Sequence, residues 1–152
     1  MSRVKRMQPV VRIAQMREDD AMQELGKAQR QLQEQEERLK ELCSYREEYS
    51  QNFHLEAGNG ISAVRFQEFH RFMARLDQAI EQQQKVVENV NRLCSKKNQI
   101  WRQAHIKSKS LDKVVERYDE QEQYERAQRE QRSMDEMAQQ SMRSRQLLEN
   151  EN

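Results

Sequence analysis

The side chains best suited to acid–base, nucleophilic or metal chemistry in this chain are its three histidines and two cysteines. His54, His70 and His105 have no nucleophile or orienting partner at a spacing that catalysis would use. Cys43 and Cys94 lack the spacing of a metal site or a disulfide framework, and we expect them to be reduced and structural. The sequence therefore predicts no catalytic residues and no metal site, and it argues against an enzyme.

The composition leads to the same expectation. The chain has no Gly-rich phosphate loop, so we expect no cofactor. With 35% charged residues, three glycines and one proline in 152 residues, it is typical of long helices with a thin core and no deep pocket. No apolar run approaches the roughly 18 to 20 residues that cross a bilayer, and no apolar segment follows the basic start as in a secretory signal. We expect a cytoplasmic protein.

The elements that position these residues are indicated by apolar residues at alternating steps of three and four. Glu18, Gln35 and Arg46 interrupt the run before Gly58-Asn59-Gly60, and the run after it has three similar interruptions at Gln83, Lys97 and Ser108. The first run is Val11, Ala14, Ala21, Leu25, Ala28, Leu32, Leu39, Leu42, Tyr49 and Phe53. The second run is Phe66, Phe69, Met73, Leu76, Ile80, Val87, Val90, Cys94, Trp101, Ala104, Leu111, Val115 and Tyr118.

Such a sustained heptad repeat predicts two helices that supercoil around each other, and the single glycine break predicts that the chain turns back between them. The predicted fold class is therefore all-α: a long antiparallel two-stranded coiled-coil hairpin in which helix 2 is longer than helix 1. We predict a single domain over residues 1–152, with helix 1 at about 9–56, a turn at 57–61, helix 2 at about 62–142 and a disordered tail at 143–152.

Local signals support these boundaries. Pro9 suits the first turn of a helix, where its missing N–H costs nothing. Gly58 and Gly60 are expected to supply positive φ angles, and Ser62 is a fair N-cap for helix 2. One register consistent with the turn pairs Phe53 with Phe69; the same register pairs Ala21 with Trp101.

One flank of helix 2 is unusually apolar. The g position, just before each a residue of the heptad, normally carries charge. Here it reads Phe72, Ala79, Val86, Leu93, Ile100 and, after Lys107, Val114, whereas the e position on the other flank is polar throughout. Helix 1 contributes Tyr45 to the apolar side. Two interpretations stay open: a widened seam or slipped register, and a docking strip for another helix or protein surface.

The stretch of helix 2 from Arg92 to Lys113 carries a dense group of basic residues, with Asp112 as its one acidic residue. It is either a solvated face or a contact for an acidic partner. Nucleic acid is the less favoured partner, because aromatic residues are not interleaved as a stacking platform. The group comprises Arg92, Lys96, Lys97, Arg102, Lys107, Lys109 and Lys113.

An ordered set of residues resembles one known family. The set is Asp19-Asp20-Ala21 with Leu25-Gly26, Leu42 with Tyr45 and Tyr49, Gly58-Asn59-Gly60-Ile61, Phe72 with Leu76 and Ala79-Ile80-Glu81-Gln82, Trp101-Arg102, and Met134-Asp135-Glu136 with Ala138. In order and spacing these residues resemble the flagellar type III export family FliJ, over most of the chain.

The resemblance implies a cytosolic, non-enzymatic protein that lies at the cytoplasmic face of the inner membrane through its partners. It implies a stalk-like adaptor between the hexameric export ATPase and the cytoplasmic domain of the export-gate membrane protein, and contacts with export chaperones. Arg38 and Gln83 depart from the family pattern at the polar margin of the implied gate-binding surface. That surface maps onto Leu42, Tyr45, Tyr49, Phe72, Leu76 and Ala79.

A stalk-like role would also place six basic residues against the ATPase ring, namely Arg92, Lys96, Lys97, Arg102, Lys107 and Lys109. Two other functions stay open on the sequence. One is an export chaperone or an escort of empty chaperones, and the other is a generic structural coiled coil.

Overall fold

The computed structural model describes residues 2–152 and contains two helices, α1 (Arg3–Ala57) and α2 (Ala63–Glu151). No strand occurs among these residues. By its contacts the chain divides into two units: Met16–His105, and the described part of Met1–Gln15 together with Ile106–Asn152. Within Met16–His105 the two helices pack against each other as an antiparallel hairpin, so the predicted fold class is confirmed, as is the greater length of the second helix.

The turn between the helices is specified by backbone hydrogen bonds. The N–H of Gly58 donates to the carbonyl of His54 at 3.2 Å, and the N–H of Gly60 donates to the carbonyl of Ala57 at 3.1 Å. Gly60 has a φ of +85°, a conformation that favours glycine. Gly58 does not have a positive φ, contrary to the sequence prediction, because it still continues the helical hydrogen-bonding pattern of α1.

The start of α2 follows the sequence prediction closely. The hydroxyl of Ser62 accepts a hydrogen bond from the N–H of Arg65 at 3.1 Å, and its carbonyl accepts one from Phe66. This is the geometry of an N-cap, which satisfies a backbone donor that the first turn of a helix leaves free. A second contact joins the two helices across the turn, because Arg65 lies 3.1 Å from Glu56.

The outer ends of both helices differ from the sequence prediction. α1 begins at Arg3 rather than near residue 9, so Pro9 lies inside the helix and not in its first turn. Ser2 explains the earlier start, because its hydroxyl accepts a hydrogen bond from the N–H of Lys5 at 3.2 Å and so caps the helix. α2 continues to Glu151 instead of ending near residue 142 before a disordered tail.

The hydrophobic seam of Met16–His105 is built from the predicted heptad positions. Phe53 and Phe69 stack with their ring centroids 3.7 Å apart, which confirms the predicted register at this pair. Both rings are buried, and the seam is narrow because each helix contributes only its a and d side chains. All the buried residues of this unit belong to the two predicted runs: Ala21, Leu25, Ala28, Phe53, Phe69, Leu76 and Val90.

Polar residues that interrupt the seam find partners on the opposite helix. The amide of Gln83 donates to both the carbonyl and the side-chain oxygen of Gln35, at 3.0 and 2.8 Å. Such a pair favours one register, because a slip would leave part-buried polar groups unsatisfied. Three further interrupting residues are paired across the helices in this unit: Glu18 with His105 at 3.0 Å, Arg46 with Asp77 at 2.6 Å and Lys97 with Glu24 at 3.9 Å.

Candidate functional site: an aromatic patch and an apolar strip

Three aromatic rings form a patch on one edge of Met16–His105. The rings of Tyr49 and Phe72 have centroids 4.5 Å apart, and Tyr45 meets Phe72 edge-on at 6.1 Å with planes 79° apart. Tyr45 and Tyr49 lie about one turn apart on the same face of α1, with their ring centroids 6.4 Å apart. Both helices therefore contribute to this aromatic patch, and edge-to-face contacts hold the rings in a defined arrangement.

The patch is accessible to a partner. The side chain of Tyr45 is 50% exposed, and Tyr49 and Phe72 are half-buried. Tyr49 also stacks on Phe69 of the seam, with ring centroids 5.6 Å apart, so the buried seam supports the patch. An exposed ring on a rigid support loses little conformational freedom on binding, which makes it a good anchor for a protein partner.

The remaining predicted gate-binding residues lie in different surroundings. Leu42 lines a shallow groove with Tyr45, and Arg38 and Gln83 at its margin are the two residues that depart from the family pattern. Ala79 is half-buried beside the patch along α2. Leu76 is only 7% exposed and belongs to the seam. The structure thus brings Leu42, Tyr45, Tyr49 and Phe72 to one surface and places Leu76 beneath it.

The apolar flank of α2 continues away from the aromatic patch at seven-residue steps. We define the apolar strip as the five g positions within Met16–His105: Phe72, Ala79, Val86, Leu93 and Ile100. All five are half-buried or exposed, with Ile100 the most accessible at 51%. Val114, the last predicted member, belongs to the other unit and is half-buried.

The other edge of this unit is closed by polar contacts. Arg46 donates to Asp77 at 2.6 Å, and both line a groove with Cys43 and Ile80. The hydrogen bond from Arg46 to Asp77, followed by the attraction between their charges, raises the pKa of Arg46 above its usual value. The guanidinium therefore stays charged and paired, and we name this the polar edge.

The six predicted ATPase-contact residues lie along α2 but do not share one environment. Arg92, Lys96 and Arg102 are exposed in Met16–His105, and Lys107 and Lys109 are exposed in the other unit. Lys97 differs, because it lies in the seam and pairs with Glu24 at 3.9 Å. It is therefore less free than the others to meet an acidic partner.

A cluster of aromatic and charged side chains near the start of α1 was not predicted from the sequence. The guanidinium of Arg3 lies 5.6 Å from the ring centroid of Tyr118, and its backbone N–H donates to Glu122 at 3.0 Å. Arg126 and Arg129 line the same shallow pocket. Tyr118 marks the end of the predicted seam and Arg3 lies in the basic start, so the register could have brought them together. Residues 123–152, which include Arg126 and Arg129, are all exposed.

The histidines form no reactive arrangement in the part of the chain that the structure describes. His54 and His70 are exposed, and His105 stacks on Trp101 at 5.0 Å while its Nδ1 lies 3.0 Å from Glu18. Among residues 2–152, no group of three or more His, Cys, Asp or Glu could hold a metal ion. No helix in this range is long and apolar enough to cross a membrane.

Comparison with known proteins gives one consistent family. The sequence matches the family described as flagellar FliJ protein over residues 3–147. It is 40% identical over 70 residues to the flagellar FliJ protein of Salmonella typhi, and 34% identical over 70 residues to that of Escherichia coli strain K12. Each alignment covers 46% of this chain and 48% of the relative, so the chain spans about half the length of the curated relatives it matches. No solved structure matches. Because the family match extends over nearly the whole chain, the chain belongs to the flagellar FliJ protein family.

Proposed function

We propose that this protein is a non-enzymatic component of the flagellar type III protein export apparatus, a stalk-like adaptor that links the export ATPase ring to the export gate. The proposal places it in the cytoplasm, at the cytoplasmic face of the inner membrane. The observation that carries it is the aromatic patch, where Tyr45 and Phe72 from different helices meet at 6.1 Å on an exposed edge. Its mechanism is binding, because the residues described form a surface and no reactive site.

The gate side of the proposal is tested by binding to the purified cytoplasmic domain of the gate protein. Tyr45→Ala and Phe72→Ala each remove a ring of the patch, and we expect each to raise the dissociation constant by about tenfold or more. Calorimetry or surface plasmon resonance measures the effect. Circular dichroism should show unchanged helix content, because neither ring belongs to the buried seam.

Matched controls come from exposed aromatic residues outside the patch. Tyr124 is 64% exposed and Phe66 is 49% exposed. Tyr124→Ala and Phe66→Ala should bind the gate domain as the unaltered protein does. If all four variants bind equally well, the patch is not the gate contact and this part of the proposal fails.

The ATPase side rests on the exposed basic residues of α2. Arg92→Glu with Lys96→Glu reverses two exposed charges, so binding to the purified hexamer should weaken and lose most of its dependence on salt. Lys85→Glu is the matched control, because Lys85 is an exposed lysine of α2 outside this group. Unchanged binding by the double variant would contradict an electrostatic contact with the ring.

The alternative is an export chaperone or an escort of empty chaperones. A pull-down with exported subunits and chaperones, beside one with the ATPase, separates the two. The plain structural coiled coil is separated by sedimentation, because a spacer would assemble with itself whereas an adaptor hairpin would remain a monomer without its partners.

A further inference from the structure

The apolar strip extends far beyond the aromatic patch. Val86 and Leu93 are each 39% exposed and Ile100 is 51% exposed, whereas Val90 in the neighbouring seam is 8% exposed. The three exposed residues follow at seven-residue steps on one continuous helix, so they share one face of it. They form a single row of half-exposed branched side chains beside the seam.

The outer border of this row carries positive and neutral side chains. Residues three positions apart are neighbours on a helix surface, so each member of the strip has a neighbour three residues later. All of these neighbours are exposed, two are cations and none is a carboxylate. They are Arg75, Gln82, Asn89, Lys96 and Gln103.

The inner border, on α1, is positive as well. The contact between Tyr45 and Phe72 fixes which residues face each other on this edge, and seven-residue steps from it reach Arg38, Gln31, Glu24 and Arg17. Glu24 is the one carboxylate in that row. It is already held by two lysines, Lys27 at 3.3 Å and Lys97 at 3.9 Å. Neither border therefore presents an unpaired carboxylate to a binding partner.

These borders decide which occupant fits. A second copy docked through the same strip would bring together two sets of borders on which Arg17 and Lys96 are the unpaired charges, and like charges across an interface oppose binding. We propose that Val86, Leu93 and Ile100 form a docking strip for an acidic amphipathic helix of a partner protein. Its apolar residues recur at seven-residue steps, and its flanking positions carry Glu or Asp.

The geometry of such a complex follows from the repeat. A helix laid along the strip places one apolar side chain beside each of the three strip residues, and its carboxylates meet the cations of the two borders. Arg17 and Lys96 border the Leu93–Ile100 half, so the strongest charge contact is expected there. This docking does not depend on the gate proposal, because it uses no residue of the aromatic patch.

The probe for the test is a synthetic, fluorescently labelled helical peptide of about four heptads with one Leu per heptad and flanking Glu. A twin peptide has Lys in place of Glu. Fluorescence anisotropy with the full chain should show tighter binding of the Glu peptide, and salt should weaken it. Leu93→Lys removes an apolar contact and should weaken binding at least about tenfold.

Controls keep the result specific to the strip. Met22 is 54% exposed and lies three heptads before Cys43 on the polar edge, so Met22→Lys adds the same charge elsewhere and should leave binding unchanged. Phe72→Ala should also retain the peptide, which separates this site from the proposed gate contact. Leu93→Ser provides a second variant if circular dichroism shows that Leu93→Lys disturbs the helices.

Three results would overturn the proposal. One is equal binding of the Glu and Lys peptides, and another is binding that survives both Leu93 substitutions. The third is self-association of the unaltered chain in sedimentation equilibrium that Leu93→Lys abolishes, because a second copy would then be the occupant.

Discussion

The two edges of Met16–His105 differ sharply although the same two helices form both. On one edge, Tyr45 meets Phe72 and the apolar strip continues as far as Ile100. On the other edge, Arg46 pairs with Asp77, and Glu18 pairs with His105. Both edges lie against the same seam, so the seam does not account for the difference.

The difference indicates which edge is suited to contact with another surface. Ion pairs at the polar edge satisfy their groups within the chain and leave the outer sides to water. Half-exposed apolar side chains have no partner of this kind within the chain. Contact with another surface lowers the free energy by removing them from water. The apolar edge is thus the one suited to binding, and the polar edge serves to keep the helices in register.

The largest expected effect comes from the seam beneath both edges. Leu76→Ala deletes a side chain that is 7% exposed, so we expect a loss of about 2–5 kcal/mol in the free energy of unfolding, measured by urea denaturation. Leu147 is 67% exposed, and Leu147→Ala should change stability by no more than about 0.5 kcal/mol. Similar losses in the two variants would contradict the assignment of Leu76 to the seam.

An intermediate effect is expected at the polar pair inside the seam. Gln83→Ala removes both hydrogen bonds to Gln35 and leaves a part-buried amide unsatisfied, which should cost about 1–3 kcal/mol in urea denaturation. Gln84→Ala changes an exposed neighbour and should cost much less. A Gln35→Leu/Gln83→Leu double variant should recover the lost stability. If Gln83→Ala costs no more than its neighbour, the pair does not help to fix the register.

The smallest effect is expected at the polar edge. Asp77→Asn removes the charge that faces Arg46, and the loss of stability should be smaller than that of Gln83→Ala because both partners are accessible to water. The raised pKa of Arg46 means that its charge, and the stability this charge contributes, is lost only as the pH rises through that pKa. The difference between the unaltered protein and Asp77→Asn should therefore stay constant from about pH 6 to 9 and shrink with added salt. A strong dependence on pH in that range would falsify this account.

Local sequence signals were most successful where one interaction dominates. Ser62 caps α2 as its side chain predicts, and Phe53 stacks on Phe69 in the predicted register. Pro9 indicates a helix boundary, but α1 begins six residues earlier, because the cap at Ser2 and the contacts of Arg3 extend the helix past the proline. A proline costs the helix one hydrogen bond, and local sequence does not show what compensates for it.

The sequence likewise predicts one part of the candidate site and not another. The heptad frame alone placed Tyr45 and Phe72 on one flank, because side-chain direction repeats with helical period. It also placed Leu76 in the seam, and Leu76 is buried. It placed Leu42 and Tyr49 there as well, but both are only half-buried, because burial depends on what the opposite helix places over each side chain.

Periodicity along one chain predicts the two helices, the seam and the apolar flank, and the glycine break predicts the turn. The packing of the folded chain is needed to show that Gln83 meets Gln35, that Lys97 meets Glu24, and that Arg3 lies over Tyr118. These contacts join residues far apart in sequence, and their geometry is set by how side chains pack across the two helices.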